Sequence, residues 1–459
     1  MPEEGAGGRR FALVTLGCSK NQVDSEAMKA LLRQAGHQQV DRPEESDLLV
    51  VNTCGFIESA KQESIDTLLE LGDQKRPHQK LIATGCLVER YGEELAGELP
   101  ELDGLLGARN WASLPNLIER LERAAPGSSL RLVELAPPGL LDLEMPPRVA
   151  TGPSAYVKIS DGCNQKCAFC AIPRMKGLLR SKSPELILRE IGELIAQGVK
   201  EVVLVSQDST NYGRDLGLED HGLVDLLIAI TDRFPKLPWV RIMYAYPAHV
   251  NERLLRVIAE RPQICSYLDM PLQHTHPATL RRMRRPHRPV DEVVAWLRDR
   301  LPDLTLRTTF IVGFPGETEA EFAHLLDSVN RLQFDRVGVF TYSDEEGTPS
   351  YELPDRVAQG TKDRRRRRLM EAARRHSLER NKTYLGRTLE VLVEGEGRLG
   401  QRKVLVGRSR RDAPEVDGLV FLHGKAEVGQ IIRARIAQAL EYDLVGVVEG
   451  APADSQLSA

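Results

Sequence analysis

Cys163, Cys167 and Cys170 stand in the run SDGCNQKCAFCAIP with the spacing CxxxCxxC. Three thiolates delivered by one short loop can ligate three irons of a 4Fe-4S cluster and leave the fourth iron open to a small molecule. A structural zinc ion normally takes four protein ligands, and this loop offers no fourth Cys or His, so zinc is the weaker reading. Unrelated thiols are the remaining alternative.

Cys18, Cys54 and Cys86 follow a different rule. Each ends an apolar run, FALVTLGC, LLVVNTC and KLIATGC, that reads as a short buried strand. Between them, QVDSEAMKALLRQAG and FIESAKQESIDTLLELG space apolar residues by three and four, as helices do, with Asp24 or Ser25 and Glu58 or Ser59 near their starts. Strand and helix in alternation predict a parallel sheet, whose strands present their carboxyl ends along one edge. The three cysteines therefore converge in space as a second candidate cluster site. Three buried thiols are the alternative, since free cysteine is among the most buried residue types. Against it, each cysteine falls at an equivalent strand end, in a turn containing Gly or Thr.

The elements that position these residues divide the chain. Residues 10–133 carry the first alternating series. The stretch ELAPPGLLDLEMPPRVATGPS, residues 134–154, is rich in Pro and Gly and reads as a linker. Over 155–378 the alternation resumes: YVKIS leads into the cysteine loop, and EVVLVSQDS, WVRIMYAYP, ICSYLDMPLQ, TLRTTFIVGFPG and FDRVGVFTYS follow, with helical patterns such as PELILREIGELIAQG and PVDEVVAWLRDRL between them. These βα steps predict an open (β/α) barrel whose reactive face is built from loops at the strand carboxyl ends. A basic helix containing Arg364 to Arg368 comes next; a solvated face is its ordinary explanation and phosphate contact the sharper one. From 380 to 449, TLEVLVEG, RKVLVGRS, DGLVFLHG, IIRARIAQ and DLVGVV suit a small antiparallel β-barrel, with a tail at 450–459. Its Lys and Arg are nearly balanced by Asp and Glu, so it is expected to dock a protein, through Glu394, Glu396, Asp417 and Glu427, and to be removable without loss of either cluster.

Composition limits what remains. A chain of 459 residues should form about three domains with real cores. With 62 basic and 66 acidic residues the net charge is -4, which implies no global attraction to nucleic acid. No apolar run approaches the ~20 residues that span a membrane, and MPEEGAGGRR lacks a signal-peptide core, so a cytoplasmic protein is expected. Seven cysteines in a reducing compartment argue for metal or redox chemistry over disulfides. The odd one, Cys265, reads as a buried thiol.

Taken together, the strand-end cysteines, the CxxxCxxC loop and the small terminal barrel resemble the radical S-adenosylmethionine methylthiotransferases, with their N-terminal cluster domain and C-terminal TRAM domain. Within that family LGCSKNQVDSE, NTCGFIESAKQESID, KISDGCNQKCAFCAIP, YAYP at Tyr244 to Pro247 and YLDMPLQH look like the branch that modifies small-subunit ribosomal protein twelve. The tRNA-modifying branch typically has Gln where this chain has Ser19, and a Leu-Pro-Val-Gln-Ser-Gly-like stretch where this chain reads MPLQHTH. The resemblance implies replacement of a C–H bond by C–SCH3 at the β-carbon of one aspartate. It implies two 4Fe-4S clusters. The cluster on Cys163, Cys167 and Cys170 passes an electron to S-adenosylmethionine, releasing methionine and a 5'-deoxyadenosyl radical that takes the hydrogen. The cluster on Cys18, Cys54 and Cys86 carries the sulfur, and a second S-adenosylmethionine supplies the methyl group. An electron donor and a sulfur donor are implied as partners, unidentified.

Other contacts follow less directly. By resemblance Phe169 packs near the cofactor adenine, a core aromatic being the alternative. Gly313, Phe314, Pro315, Gly316 and Glu317 form a turn that could approach the nucleoside closely, or a simple strand-to-helix turn. Ser206, Gln207 and Asp208 end a barrel strand and could meet ribose or methionine, or be satisfied locally. Two other classes stand beside this reading: a tRNA methylthiotransferase, with the TRAM domain and the arginine helix holding RNA, and a non-catalytic iron-sulfur or zinc protein.

Overall fold

The computed structural model describes residues 8–123, 132–135, 146–218, 221–285 and 288–450. Much of the expected linker and the expected tail from 451 lie outside the described residues.

The first unit is a six-stranded sheet, parallel throughout, ordered Gln38–Gln39, Arg10–Thr15, Leu48–Thr53, Lys80–Gly85, Gly104–Gly107, Leu132–Glu134. Its central strands are apolar at nearly every position because both faces are covered. Leu49, Val51, Leu81 and Ala83 pack with Leu68, Leu71 and Leu87 on one face. Val50, Ile82 and Leu106 pack with Met28, Leu32 and Ile118 on the other. The helix after the first strand runs Ser19–Gln34, with Cys18 as the extended residue before it. Asp24 and Ser25, expected near the helix start, lie inside the helix, past its first turn, and are buried. Polar residues that looked like caps instead face a second unit or a neighbouring loop. The next helix, Glu58–Gln74, starts where expected.

The second unit has parallel strands Ser154–Lys158, Glu201–Val205 and Trp239–Ile242 in one sheet and Tyr267–Asp269, Thr305–Val312 and Arg336–Thr341 in another. A parallel bridge from Val240 to Ile264 joins the two. No pairing among the described residues closes the first strand on the last, which is the open barrel expected. Alternate residues face outward into a helix-covered core, among them Val157, Val202, Leu204, Val240, Leu268 and Leu306. The inward set, Tyr156, Val203, Val205, Trp239 and Tyr267, packs against Leu392 and Ala413 of the third unit and Val23 of the first.

The third unit is a closed barrel of strands Thr388–Leu399, Arg402–Ser409, Val420–His423, Leu444–Val448 and Ile431–Ala439. Four of its five pairings are antiparallel, but Val420–His423 and Leu444–Val448 run parallel, a departure from the purely antiparallel barrel expected. The barrel packs on the second unit through charge as well as apolar surface. Arg408 meets Glu201 at 2.5 Å, Tyr267 donates its hydroxyl hydrogen to Asp417 at 2.6 Å, and Arg336 pairs with Asp412 at 2.7 Å. Glu394 also pairs with Arg408, at 2.6 Å. Glu394 and Asp417 are therefore interface residues, and of the four acids expected to face a partner only Glu396 and Glu427 are exposed.

The arginine run lies in the helix Gln359–Lys382. Arg365 is buried against Glu317 at 3.1 Å and Arg368 reaches Glu319 at 3.2 Å, so the run is not uniformly a solvated face. Among the described residues no helix is long and apolar enough to cross a membrane.

Candidate active site

Cys18, Cys54 and Cys86 each follow a strand of the first sheet, and glycines let the three strand ends meet. Gly17 has φ +92, and a Cβ there would come within 2.7 Å of Cys54 Cβ and 3.0 Å of its Sγ. A Cβ on Gly55 would meet the Leu87 backbone, next to Cys86, at 2.8 Å. Asparagines pin the loops. Asn21 Nδ2 donates to the carbonyls of Leu16 and Thr53 at 2.9 and 3.1 Å, and Asn52 Nδ2 donates to the Asn21 carbonyl and Ser25 Oγ, both at 2.9 Å. These supports were missed in the sequence; the signal was a polar residue at the end of an apolar strand in LLVVNTC. Cys54 and Cys86 are buried and Cys18 is exposed. Burial pushes the Cys54 thiol up and the Cys86 thiol up to about 12. Around Cys18, loss of solvation works against the charge, but Lys20 and the backbone N–H groups of Asn21 and Lys20 outweigh it and lower the thiol below its ordinary range.

The second cysteine set hangs on a loop held from several sides. Cys163 N–H donates to Gly177 O at 3.1 Å, Ala168 N–H to Met283 O at 2.8 Å, and Ser350 N–H to Ala168 O at 2.9 Å. Arg285 Nη1 lies 3.3 Å from Cys167 Sγ, with its guanidinium over the Tyr246 ring at 4.3 Å. Burial pushes Cys163 up to about 11 and Cys170 up to about 12. Phe169 packs beside Ala168, Phe314, Tyr342 and Met283.

The structure distributes the other expected residues unevenly. Gln207 Nε2 donates to Asp161 Oδ1 at 2.9 Å, and its Oε1 is buried without a hydrogen-bond partner among the described residues. Asp208 is engaged: Thr210 donates to it at 2.6 Å, Gln165 at 3.2 Å, and His249 Nδ1 lies at 3.2 Å. Ser206 pairs with Ser209 at 3.2 Å. In the turn after the fifth barrel strand, Glu317 accepts from Gly313 N–H and Phe314 N–H and pairs with Arg365. Its carboxylate is thus spent on its own turn, and Phe314 and Pro315 are buried. A Cβ on Gly313 would fall 2.4 Å from Lys362 Cγ, so helix packing already requires glycine there.

The two cysteine sets share one seam. Cys86 packs with Ala171, which directly follows Cys170, and with Met175 in the short helix after it. Beside them Asp24 binds both Lys158 and Lys176, the latter at 3.1 Å, while Asp161 takes Lys158 at 3.1 Å and Lys176 at 3.5 Å. Burial disfavours the two ammonium charges, but Asp161 and Asp24 hold both lysines above their usual range. A second clasp joins Glu345, after the last barrel strand, to Arg90 at 2.7 Å and Lys61 at 3.2 Å; Arg90 also donates to Gly55 O at 2.8 Å, next to Cys54.

Among the described residues no group of three or more His, Cys, Asp and Glu gathers tightly enough for a single metal ion. An iron-sulfur cluster does not require that closeness, because each thiolate binds a separate iron. Three thiols on one loop, and three from converging strand ends, both fit such a group.

An open parallel barrel with three cysteines after its first strand, preceded by a three-cysteine sheet unit and followed by a closed barrel, defines a class, and sequence comparison agrees. Residues 10–107 match the uncharacterized protein family UPF0004, residues 157–329 the radical SAM superfamily and residues 385–448 the TRAM domain. A ribosomal protein uS12 methylthiotransferase RimO from Roseiflexus sp. is 48% identical over 472 residues, covering 98% of this chain and 99% of that protein. The protein of the same name from Chloroflexus aurantiacus is 48% identical over 453 residues, covering 95% and 99%. Among solved structures, the radical S-adenosylmethionine methyltransferase TsrM from Kitasatospora setae, with tryptophan and an S-adenosylmethionine analogue bound, shares the fold at a TM-score of 0.55 and 13% identity, covering 72% of this chain and 73% of that one. The chain belongs to the ribosomal protein uS12 methylthiotransferase family, a radical S-adenosylmethionine family. The relatives are named for a ribosomal protein acceptor, which sets aside the tRNA alternative.

Proposed function

We propose that this chain methylthiolates the β-carbon of an aspartate in ribosomal protein uS12, using S-adenosylmethionine and two 4Fe-4S clusters. Cys163, Cys167 and Cys170 hold the cluster at which S-adenosylmethionine is cleaved, and Cys18, Cys54 and Cys86 hold the auxiliary one. The observation that carries this reading is the meeting of Cys86 with the turn that follows Cys170, which brings both sets to one seam.

When bound, these groups supply radical chemistry toward an unactivated C–H bond, together with the sulfur and methyl groups; no acid, base or nucleophile of the chain could attack such a bond. The chain's own residues orient and enclose. Arg285 sets a positive charge against Cys167. Gln207 offers its unpartnered Oε1 to ribose or methionine, with Ser206 and Asp208 fixing the surrounding loop. Phe169 forms an apolar wall for the adenine, backed by Phe314, and Gly313, Pro315 and Glu317 shape the turn that carries Phe314. Residues 10–133, 155–378 and 380–449 divide the labour as cluster unit, radical unit and TRAM barrel, joined by 134–154. The chemistry calls for an electron donor and a sulfur donor, and a ribosomal substrate places the work in the cytoplasm.

The test is mass spectrometry of uS12 incubated with the anaerobically reconstituted enzyme, reductant, a sulfide source and S-adenosylmethionine. One methylthio group on an aspartate is expected. Replacing Cys163, Cys167 and Cys170 by Ala should leave about half the iron and stop cofactor cleavage. Replacing Cys18, Cys54 and Cys86 should leave cleavage without sulfur insertion, and methylthiolated product from that variant would refute the assignment.

A further inference from the structure

Lys20, two residues after Cys18, places its ammonium 3.5 Å from the centre of the Tyr244 ring. Ser19 Oγ lies 3.4 Å from the Tyr244 hydroxyl. Tyr244 follows the third barrel strand, so this contact crosses from the first unit to the second. Its backbone is left-handed, with φ 60, a conformation that strains a bulky residue and persists only where the surroundings impose it. The surroundings do so here. Tyr244 N–H donates to Asp269 Oδ2 at 3.4 Å, and Ser209 N–H donates to Tyr244 O at 3.0 Å. Asp269 is itself anchored by Arg307 at 2.7 Å.

Counting charge along the seam singles Lys20 out. Lys158 and Lys176 are consumed by Asp24 and Asp161, and Arg90 and Lys61 by Glu345. Arg285 stands on the other side, against Cys167 and Tyr246. Lys20 is half-buried; it acts on the neighbouring Cys18 thiol and lies in the field of Asp269, but among the described residues it forms no salt bridge. An ammonium resting on an aromatic face keeps N–H donors free for an anion. The acceptor residue proposed above is an aspartate, whose reacting β-carbon is bonded directly to its carboxylate carbon. Fixing that carboxylate fixes the reacting carbon.

We propose that Lys20, steered by the Tyr244 ring, binds the carboxylate of the substrate aspartate and is the residue that selects aspartate at the site. This deepens the proposed function and rests on it. The carboxylate is then held beside Cys18, the exposed cysteine of the auxiliary set, at the seam between the two cysteine sets.

The test compares binding and methylthiolation of uS12 and of uS12 whose target aspartate is replaced by Asn, with the full-length wild-type chain and its Lys20→Met and Lys20→Arg variants. Iron content and thermal stability are read alongside. A charge-assisted hydrogen bond of this kind predicts that wild type favours the aspartate protein about 10- to 100-fold. In Lys20→Met that preference should collapse to near unity, with affinity for the Asn protein little changed, and Lys20→Arg should retain part of it. A purely structural role would weaken both substrates alike. Lys20→Met keeping the wild-type preference, or losing both substrates equally, would overturn the assignment of Lys20 while leaving the function standing. A wild-type enzyme that neither binds nor modifies uS12 would overturn both.

Discussion

Asp24 Oδ2 accepts a hydrogen bond from Lys176 Nζ at 3.1 Å, tying the helix behind Cys18 to the segment behind Cys170. Both side chains are almost fully buried, and Lys158 and Asp161 complete the group with two positive and two negative charges. The two cysteine sets are thus joined by a neutral ionic lock as well as by the apolar contact of Cys86.

Breaking one member of that lock should be expensive. Asp24→Ala leaves two buried ammonium groups facing one carboxylate, a loss of about 3–5 kcal/mol. Chemical denaturation of the cofactor-free chain measures it. Lys176→Met added to Asp24→Ala should recover part of the loss; strict additivity of the two would show that the pair does not interact.

Gly17→Ala is expected to damage the auxiliary site without touching a ligand. The new Cβ would fall 2.7 Å from Cys54 Cβ, in a backbone with φ +92 that disfavours any side chain. Iron after reconstitution should drop toward about half of the wild-type content. Full iron content would show that the Cys18 loop yields easily.

Acid should loosen the terminal barrel. Burial would raise Glu201, but Arg241 at 2.7 Å and Arg408 at 2.5 Å lower it to about 2. A carboxylate lowered on folding stabilises above its unfolded pKa, near 4.5, and loses that stabilisation as pH falls through about 2. The loss over that window is about 3 kcal/mol. Glu201→Gln should flatten this part of the stability profile while weakening the fold at neutral pH, where two arginines lose their shared carboxylate. An unchanged acid limb in the variant would count against this account.

Deleting the chain from Gly386 onward should destabilise the whole molecule, contrary to the expectation of a detachable docking module. The deletion uncovers the inward face of Tyr156, Trp239 and Tyr267 and strips Arg336 of Asp412 and Glu201 of Arg408. Aggregation and poor iron incorporation are expected on size exclusion and metal analysis. A monomeric truncated chain with full iron content would restore the module view.

Element types and the strand ends that bear cysteines were legible in the sequence because they are local. Strands covered on both faces must be apolar at nearly every position, so LLVVNTC and EVVLVSQDS announce themselves. A parallel sheet then gathers Cys18, Cys54 and Cys86 at one edge without further information. CxxxCxxC needs only one loop. The pairing of charges was not legible, because an acidic residue in a helix pattern looks the same whether water or a lysine from another unit neutralises it. Asp24 read as lying near a helix start and proved to be one of four charges in an interunit lock. Glu394 and Asp417 read as surface acids and proved to hold the barrel in place. Glu317 read as a cofactor contact and is engaged by its own turn. Lys20 and Tyr244 meet only because two units pack edge to edge. In each case the partner lies far along the chain, and burial, which makes an unpaired charge costly, is a property of the packed units together.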